Sequence, residues 1–377
     1  MVALVLGAGK MGRAICHAML RLGANVSVVD RDIEMVRETI KFCDGKLTGE
    51  VVDDNLSDIL DAHTPDVVIS SLPYFANKDA SKAVIDKGIN WCDLGGRVDV
   101  SEWTNSYAEE NATARVFTDL GLAPGWVNIM AEEGARQIHR QVDDVEIAVG
   151  GLPAEDTGDN PLNYKITWSI DGLINEYKDD CIALKDGEIV TVKGMDGLEQ
   201  ISLECSDDES IEFEKFYTSG GASHTIDSMM AKGVTNCSYK TIRYAGHCNI
   251  VKYLIFDCGL GDEELQKIFE SCGVASNDVV LMTAKVRGGD VTWYKENAVF
   301  SDRKFSAMQK CTAYPISAVA YLMAAGRFDK TKHQHRDWNE PYPKVLRYSD
   351  VPYGEFIPLL QELGLDITSH GAGRPHI

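Results

Sequence analysis

Three glycines carry the most specific chemical signal in this 377-residue chain. Gly7, Gly9 and Gly12 form G-x-G-x-x-G between an apolar run at residues 2–6 and a segment at 10–22 whose apolar residues, Met11, Ile15, Met19 and Leu22, recur at helical spacing. A dinucleotide pyrophosphate suits such a turn. Gly7 permits the tight bend, Gly9 lets backbone approach the phosphates, and Gly12 lets helix and strand pack closely. The helix start at Lys10 and Met11 offers free N–H groups. Asp30 ends the next strand, eighteen residues past Gly12, where its carboxylate would accept ribose hydroxyls and favour NAD. Arg31 beside it could take a 2′-phosphate, so NADP stays open. Asp53, after the third strand, flanks the adenine or lies in an exposed turn. Ser71, Leu72 and Pro73 close the fourth strand, where a doubly wound fold turns loop backbone toward the nicotinamide half, and Gly95 closes the fifth.

Positioning these residues requires a particular order of elements. Strand patterns at 2–6, 25–29, 66–72 and 90–94 alternate with helical ones at 10–22, 33–42, 56–62 and 77–87, which predicts βαβ units and a parallel, doubly wound sheet. From about residue 142 the pattern changes. Strands are predicted at 145–149, 164–170, 188–192, 211–217 and 240–245, with few helices, and an antiparallel pair at 277–287 and 291–300 turns around Gly288-Gly289. This predicts an α+β region on a mainly antiparallel sheet. Helical periodicity returns at 305–325 and 354–363. The expected domains are 1–122 with about 304–377 for the dinucleotide, and about 123–303 for substrate and dimerisation.

Charge narrows the partners. Lys plus Arg total 37 against 58 Asp plus Glu, a formal net charge of -21, which would repel a phosphate backbone or an anionic membrane. No apolar run approaches a membrane span, and the chain opens on a strand without a leader-like segment. Ten scattered cysteines, none in CxxC, predict reduced thiols in a cytoplasmic protein and no metal site. The acidic run Asp207-Asp208-Glu209 reads as a solvated turn.

Several further motifs occur in a fixed order. They are Leu72-Pro73-Tyr74-Phe75, Cys92-Asp93-Leu94-Gly95-Gly96, Gly121-Leu122-Ala123-Pro124-Gly125 before a helix, and Gly150-Gly151-Leu152-Pro153 before Pro161-Leu162-Asn163-Tyr164. After them come Gly172-Leu173-Ile174-Asn175-Glu176-Tyr177, Thr218-Ser219-Gly220-Gly221 and Thr241-Ile242-Arg243-Tyr244-Ala245-Gly246-His247. Together they resemble the saccharopine dehydrogenase-like superfamily over nearly the whole chain, and within it they are most similar to the L-lysine 6-dehydrogenases. Saccharopine reductases usually carry Asp and Cys, both belonging to the substrate site, where this chain has Ala123 and Val149. Saccharopine, with three carboxylates, would also call for more than one cationic clamp.

The resemblance implies NAD-dependent oxidative deamination at the lysine ε-carbon, giving ammonia and a 6-semialdehyde that cyclises to piperideine-6-carboxylate. A free ε-ammonium has a pKa of about 10.4, so the site needs desolvation or a base near the amine and a clamp for the distant carboxylate. Arg243 is the candidate clamp, since a guanidinium binds a carboxylate with two parallel hydrogen bonds; the alternative is a surface arginine. His247 is a candidate base or water activator, or else a histidine bonded within the core. Asp93, at a strand end, either holds the amine or the cofactor carboxamide, or caps the Gly95-Gly96 turn. Lys165 would serve as a base only if buried. Tyr74, Asn163, Tyr164 and Glu176 are candidate wall residues, and His224 a loop histidine. A saccharopine- or carboxyspermidine-type dehydrogenase and a non-catalytic dinucleotide sensor are the competing readings. A homo-oligomer, with the antiparallel sheet as its dimer surface, is expected by analogy only.

Overall fold

The computed structural model describes residues 1–52, 55–155, 157–158, 160–206, 209–329 and 343–367. The described residues divide into two compact units, one within 1–129 and 309–367, the other within 130–308.

The first unit alternates strand and helix: β1 (Val2–Leu6), α1 (Lys10–Arg21), β2 (Asn25–Asp30), α2 (Ile33–Phe42), β3 (Thr48–Val51), α3 (Leu56–His63), β4 (Val67–Ser70), α4 (Tyr74–Asp86), β5 (Asn90–Asp93), α5 (Val98–Asn111) and β6 (Val116–Phe117). The six strands form one sheet in the order β3-β2-β1-β4-β5-β6, every pair parallel. Strands buried on both faces need apolar side chains on both, which is why β1 and β4 read as continuous apolar runs. Leu4, Val68, Val84, Trp91 and Val116 fill one such core. The chain reverses its winding direction between β1 and β4, so the loops after these two strands sit side by side at the switch point, where doubly wound folds take their ligands.

The second unit holds most of α6 (Trp126–Gln137), then β7 (Asp144–Pro153), α7 (Ile170–Lys178), β8 (Cys181–Lys185), β9 (Glu188–Val192), β10 (Glu199–Ser206), β11 (Glu209–Tyr217), α8 (Thr225–Ala231), β12 (Asn236–Tyr244), α9 (His247–Lys252), a π-helical turn (Tyr253–Asp257), α10 (Asp262–Ser271), β13 (Asp278–Gly288) and β14 (Val291–Phe300). Its eight strands form one mixed sheet with the path β10-β11-β12-β7-β13-β14, and β8 and β9 attach through β12. Only β12 and β7 run parallel; the other pairs are antiparallel, as expected. Two further helices, α11 (Ala307–Ala324) and α12 (Tyr353–Glu362), follow.

The structure corrects three expectations. Residues 164–170 are not a strand: one isolated bridge, Ile166 to Val274, is their whole share of the sheet. Their apolar alternation arises because Tyr164, Ile166, Trp168 and Ile170 pack on the core under α7, and the Ser169 hydroxyl accepts the Gly172 N–H to start that helix. The second unit is also richer in helices than expected, with α7 to α10 lying along its chain. Finally, α4 begins three residues earlier than predicted because Pro73 serves as its N-cap. Of the acidic run at 207–209, Glu209 opens β11, and Asp207 and Asp208 lie outside the described residues.

Candidate functional site

The glycine loop of the first unit is held from several sides. Gly7 adopts φ +95 and donates its N–H to Val29 O at 2.8 Å. A Cβ on Gly12 would lie 1.7 Å from Gly7 O, so only glycine lets α1 start this close to the turn. A Cβ on Gly9 would meet nothing within 4 Å, which leaves open the side of the loop that a pyrophosphate would approach. The first N–H groups of α1, at Lys10 and Met11, have no carbonyl to bond within the helix. These features fit a dinucleotide.

Asp30 carries more structural duty than its sequence position implies. Its Oδ2 accepts the Ala8 N–H at 2.7 Å and its Oδ1 the Asp32 N–H at 2.9 Å, so the acid at the end of β2 also fixes the glycine loop. Thr39 on α2, which the sequence reading missed, donates its hydroxyl to Ala8 O at 3.0 Å and holds the same residue from the other side. Ser71 donates to Leu6 O or Gly7 O, at 3.0 and 3.1 Å, which locks the loop after β4 to the loop after β1. Leu72 is half-buried, and Pro73 and Arg31 are exposed at the same strand ends. Asp53 lies outside the described residues.

At the end of β5, Asp93 is buried and fully engaged. Its Oδ2 accepts the Trp91 Nε1–H at 2.8 Å, and its Oδ1 accepts the Gly95 N–H at 2.8 Å and the Asp119 N–H at 3.2 Å. This is the turn-capping arrangement. Burial, and then the neighbouring Asp119 carboxylate, push the Asp93 carboxyl up to about 7. Gly95 sits against Asp119, which would meet a Cβ there at 2.3 Å. Tyr74, at the start of α4, is 41% exposed, and the Arg97 guanidinium lies 5.5 Å from its ring centre.

The second unit gathers a different set. Arg243 on β12 is 2% exposed, and among the described residues it is the one buried arginine. Its Nε donates to Tyr177 Oη at 2.7 Å and its Nη1 to Ile242 O at 2.9 Å. Its Nη2 has no hydrogen bond, and no carboxylate forms an ion pair with it, among the described residues. Tyr177 and Tyr164 flank the guanidinium, with ring centres 5.6 and 5.8 Å away. A buried guanidinium ordinarily has a carboxylate or phosphate partner.

A chain of hydrogen bonds orients that guanidinium. His247 Nδ1 lies 2.8 Å from Leu162 O, and since a carbonyl can only accept, Nδ1 carries the proton. Nε2 must then accept from Tyr177 Oη at 3.0 Å, which leaves the phenol oxygen to accept from Arg243. Burial, and then the Arg243 charge, hold the imidazole down to about 3, so it stays neutral where the sequence reading had it charging near neutrality. Glu214 lies opposite Arg243 in the β11–β12 register, but its carboxylate accepts the backbone N–H groups of Gly246 and Cys248 and so anchors the start of α9, which carries His247.

Of the remaining candidates, Tyr164 is buried against His247 and Phe269, and Asn163, at φ +46, donates its Nδ2–H to Ala245 O at 3.1 Å. Lys165 is not buried; it pairs with Glu155 at 2.9 Å, whose carboxylate is lowered to about 2 by Ser276 and then Lys165. Tyr177 was missed as a site residue. Its one sequence signal is its place at the end of the amphipathic segment that becomes α7.

An α/β protein thus carries a dinucleotide-type loop on one unit and a buried, tyrosine-flanked guanidinium on the other. Comparison with known proteins is consistent with that. Residues 3–118 match the saccharopine dehydrogenase NADP binding domain, and residues 121–348 the saccharopine dehydrogenase C-terminal domain. The chain belongs to the saccharopine dehydrogenase family. It is 24% identical over 299 residues to a saccharopine dehydrogenase [NADP(+), L-glutamate-forming] of Pyricularia oryzae, a match over 74% of this chain and 65% of that protein. It is 29% identical over 204 residues to the rat mitochondrial alpha-aminoadipic semialdehyde synthase, which covers 51% of this chain and 21% of that one. The chain therefore spans between a fifth and two-thirds of the length of these relatives. The apo saccharopine dehydrogenase (L-Glu forming) of Saccharomyces cerevisiae shares the fold, with a TM-score of 0.73, 17% identity and coverage of 99% of this chain and 100% of that one.

Proposed function

We propose that this protein is a nicotinamide dinucleotide-dependent oxidoreductase that oxidatively deaminates the ε-carbon of L-lysine. The observation that carries the reading is Arg243: one buried guanidinium with an unpaired Nη2 and two aromatic walls matches a substrate with a single carboxylate. In the first unit Gly7, Gly9, Gly12 and the start of α1 hold the pyrophosphate, Asp30 meets the ribose, and Ser71 to Pro73 with Gly95 line the nicotinamide half. When bound, the nicotinamide accepts the hydride that leaves the amine-bearing carbon.

The chain's own residues bind and orient. Arg243 takes the α-carboxylate, and Tyr177 and His247 aim it. Tyr164 and Asn163 shape the wall around it. Asp93 holds the Gly95 turn beside the cofactor, and Lys165 ties its loop through Glu155. In this reading Asp93 and His247 position groups rather than transfer protons, since their hydrogen-bonding atoms are already committed.

A second reading, cleavage or formation of a saccharopine-type secondary amine, is favoured by the names of the curated relatives. The departures at Ala123 and Val149 and the single buried arginine weigh against it. The experiment is a substrate panel with NAD and NADP. Reduction of the cofactor by L-lysine alone supports deamination. Turnover of saccharopine with release of glutamate, and none of lysine, supports the second reading.

A further inference from the structure

The second unit has a strand edge that no other strand covers among the described residues. β9 pairs with β8 alone. Asp186 and Gly187, at φ +52 and +82, make the two-residue turn between them, so Lys185 and Glu188 close the hairpin as a hydrogen-bonded pair. Bonded and non-bonded pairs then alternate along the ladder. Glu188, Val190 and Val192 turn their backbone groups toward β8, and Ile189 and Thr191 turn theirs outward. Natural edge strands are usually guarded by charge or cover. The strands at the ends of the two sheets follow that rule: β3 carries Glu50, β10 Glu199 and β14 Lys295 and Glu296, while β6 is bridged from Val116 to Val345. Between its first and last residues β9 reads Ile189-Val190-Thr191, β-branched throughout and uncharged. Ile189 is 45% exposed, and Ile182, on the same face of β8, is 48% exposed.

We propose that this edge pairs with the same edge of a second copy of the chain, antiparallel, across a twofold axis at Val190. The edge is self-complementary. In this register Ile189 of each copy faces Thr191 of the other, and each such pair exchanges both of its backbone bonds, so every outward group of the two residues is satisfied. A shift by two residues would instead set one of them against Gly187, whose N–H is already given to Thr235 O at 2.8 Å, or against Lys193, past the end of the strand. Charge agrees with the register. The strand is acidic where it begins, at Glu188 with Asp186 before it, and basic just past its end, at Lys193, whose Nζ lies 3.7 Å from the Phe256 ring centre. Antiparallel pairing lays the acidic end of each strand on the lysine end of its copy. The side chains agree as well. Ile189 enters a row between Leu184 of its own hairpin and Thr191 of the other copy, with that copy's Ile182 next. The interaction is strand addition, and the partner is the chain itself.

The test uses the full chain in analytical ultracentrifugation at about 1–100 μM. The unmodified protein should sediment as a dimer. Thr191→Pro removes an outward N–H without touching the bonds to β8, and Thr191→Lys places a charge on the edge. Each should weaken dimerisation at least about tenfold, with thermal unfolding as the check that the variant is folded. The register is read by cross-linking in a Cys258→Ser background, which removes the exposed native thiol. Val190→Cys faces its own copy across the axis, with about 4.5 Å between Cα atoms, and should form an intermolecular disulfide with oxidised glutathione as the oxidant. Glu188→Cys is displaced from its copy by about 13 Å along the strand and should form none. A monomer at every concentration, a dimer that both Thr191 variants leave intact, or cross-linking no faster at position 190 than at 188 would overturn the pairing.

Discussion

The two candidate sites are built by opposite means. The glycine loop presents backbone: its N–H groups, its open side at Gly9 and its close packing at Gly12 depend on residues within one turn of each other in sequence. The Arg243 cluster presents side chains, those of Tyr164, Tyr177, Arg243 and His247, brought together from distant segments by a sheet and two helices. A backbone site tolerates little change because it has no slack. A side-chain relay can lose one member and keep its fold, but loses aim. The predictions below separate these cases.

The largest effect is expected at Gly12. Gly12→Ala puts a methyl 1.7 Å from Gly7 O, and the first unit should no longer fold cooperatively in thermal unfolding. Gly9→Ala is its counterpart: the methyl meets open space, so stability should change by about 0.5 kcal/mol or less, while dinucleotide affinity falls at least about tenfold. A Gly9→Ala protein that binds dinucleotide normally would take the pyrophosphate away from this loop.

Tyr177→Phe tests the relay. Removing the hydroxyl leaves Arg243 Nε and His247 Nε2 unpaired in the interior, each at about 1–3 kcal/mol if water does not enter. The lysine KM should rise about tenfold while dinucleotide affinity, measured by fluorescence titration, stays the same. A loss of stability with an unchanged KM would reduce the relay to packing.

How far the sequence reveals these sites follows from the same contrast. G-x-G-x-x-G, the strand and helix around it, and Asp30 at the next strand end are all local, and the structure has each of them in the expected element. Arg243 and His247 were legible as residue types four apart, but not in their surroundings. Nothing near His247 in the chain shows that Leu162 and Tyr177 occupy its two nitrogens, so a core histidine reads as a base. Tyr177 was visible in a motif, yet its partners Arg243 and His247 lie about seventy residues away. The mistaken strand at 164–170 has a related cause: the period-two apolar pattern was real, and it served a core under α7 rather than a ladder.

Asp30→Ala should weaken NAD binding about tenfold and NADP binding less, because the ribose partner is lost along with the Ala8 tether. A ratio of affinities that does not move would assign cofactor choice to Arg31 or another group.

The smallest effect concerns pH. Asp93 titrates near 7 in the folded chain against about 3.9 when unfolded, so the folded state holds the extra proton between these values. Stability should therefore fall as pH rises from about 4 to 7 and level off above. The groups facing Asp93 are Trp91, Asp119 and the Gly95 N–H. Asp119→Asn removes the charge but keeps an oxygen for the Ser101 hydroxyl, bonded at 2.6 Å, and tolerates the φ of +59. It should flatten the loss of Tm between pH 5 and 7; an unchanged slope would show that desolvation alone sets the Asp93 carboxyl.

The most direct measurement is product analysis with L-lysine as the sole amine. One mole of ammonia per mole of reduced dinucleotide, together with the cyclised aldehyde, is the predicted result. Reduced dinucleotide that forms only from saccharopine, with glutamate and no ammonia, would contradict it.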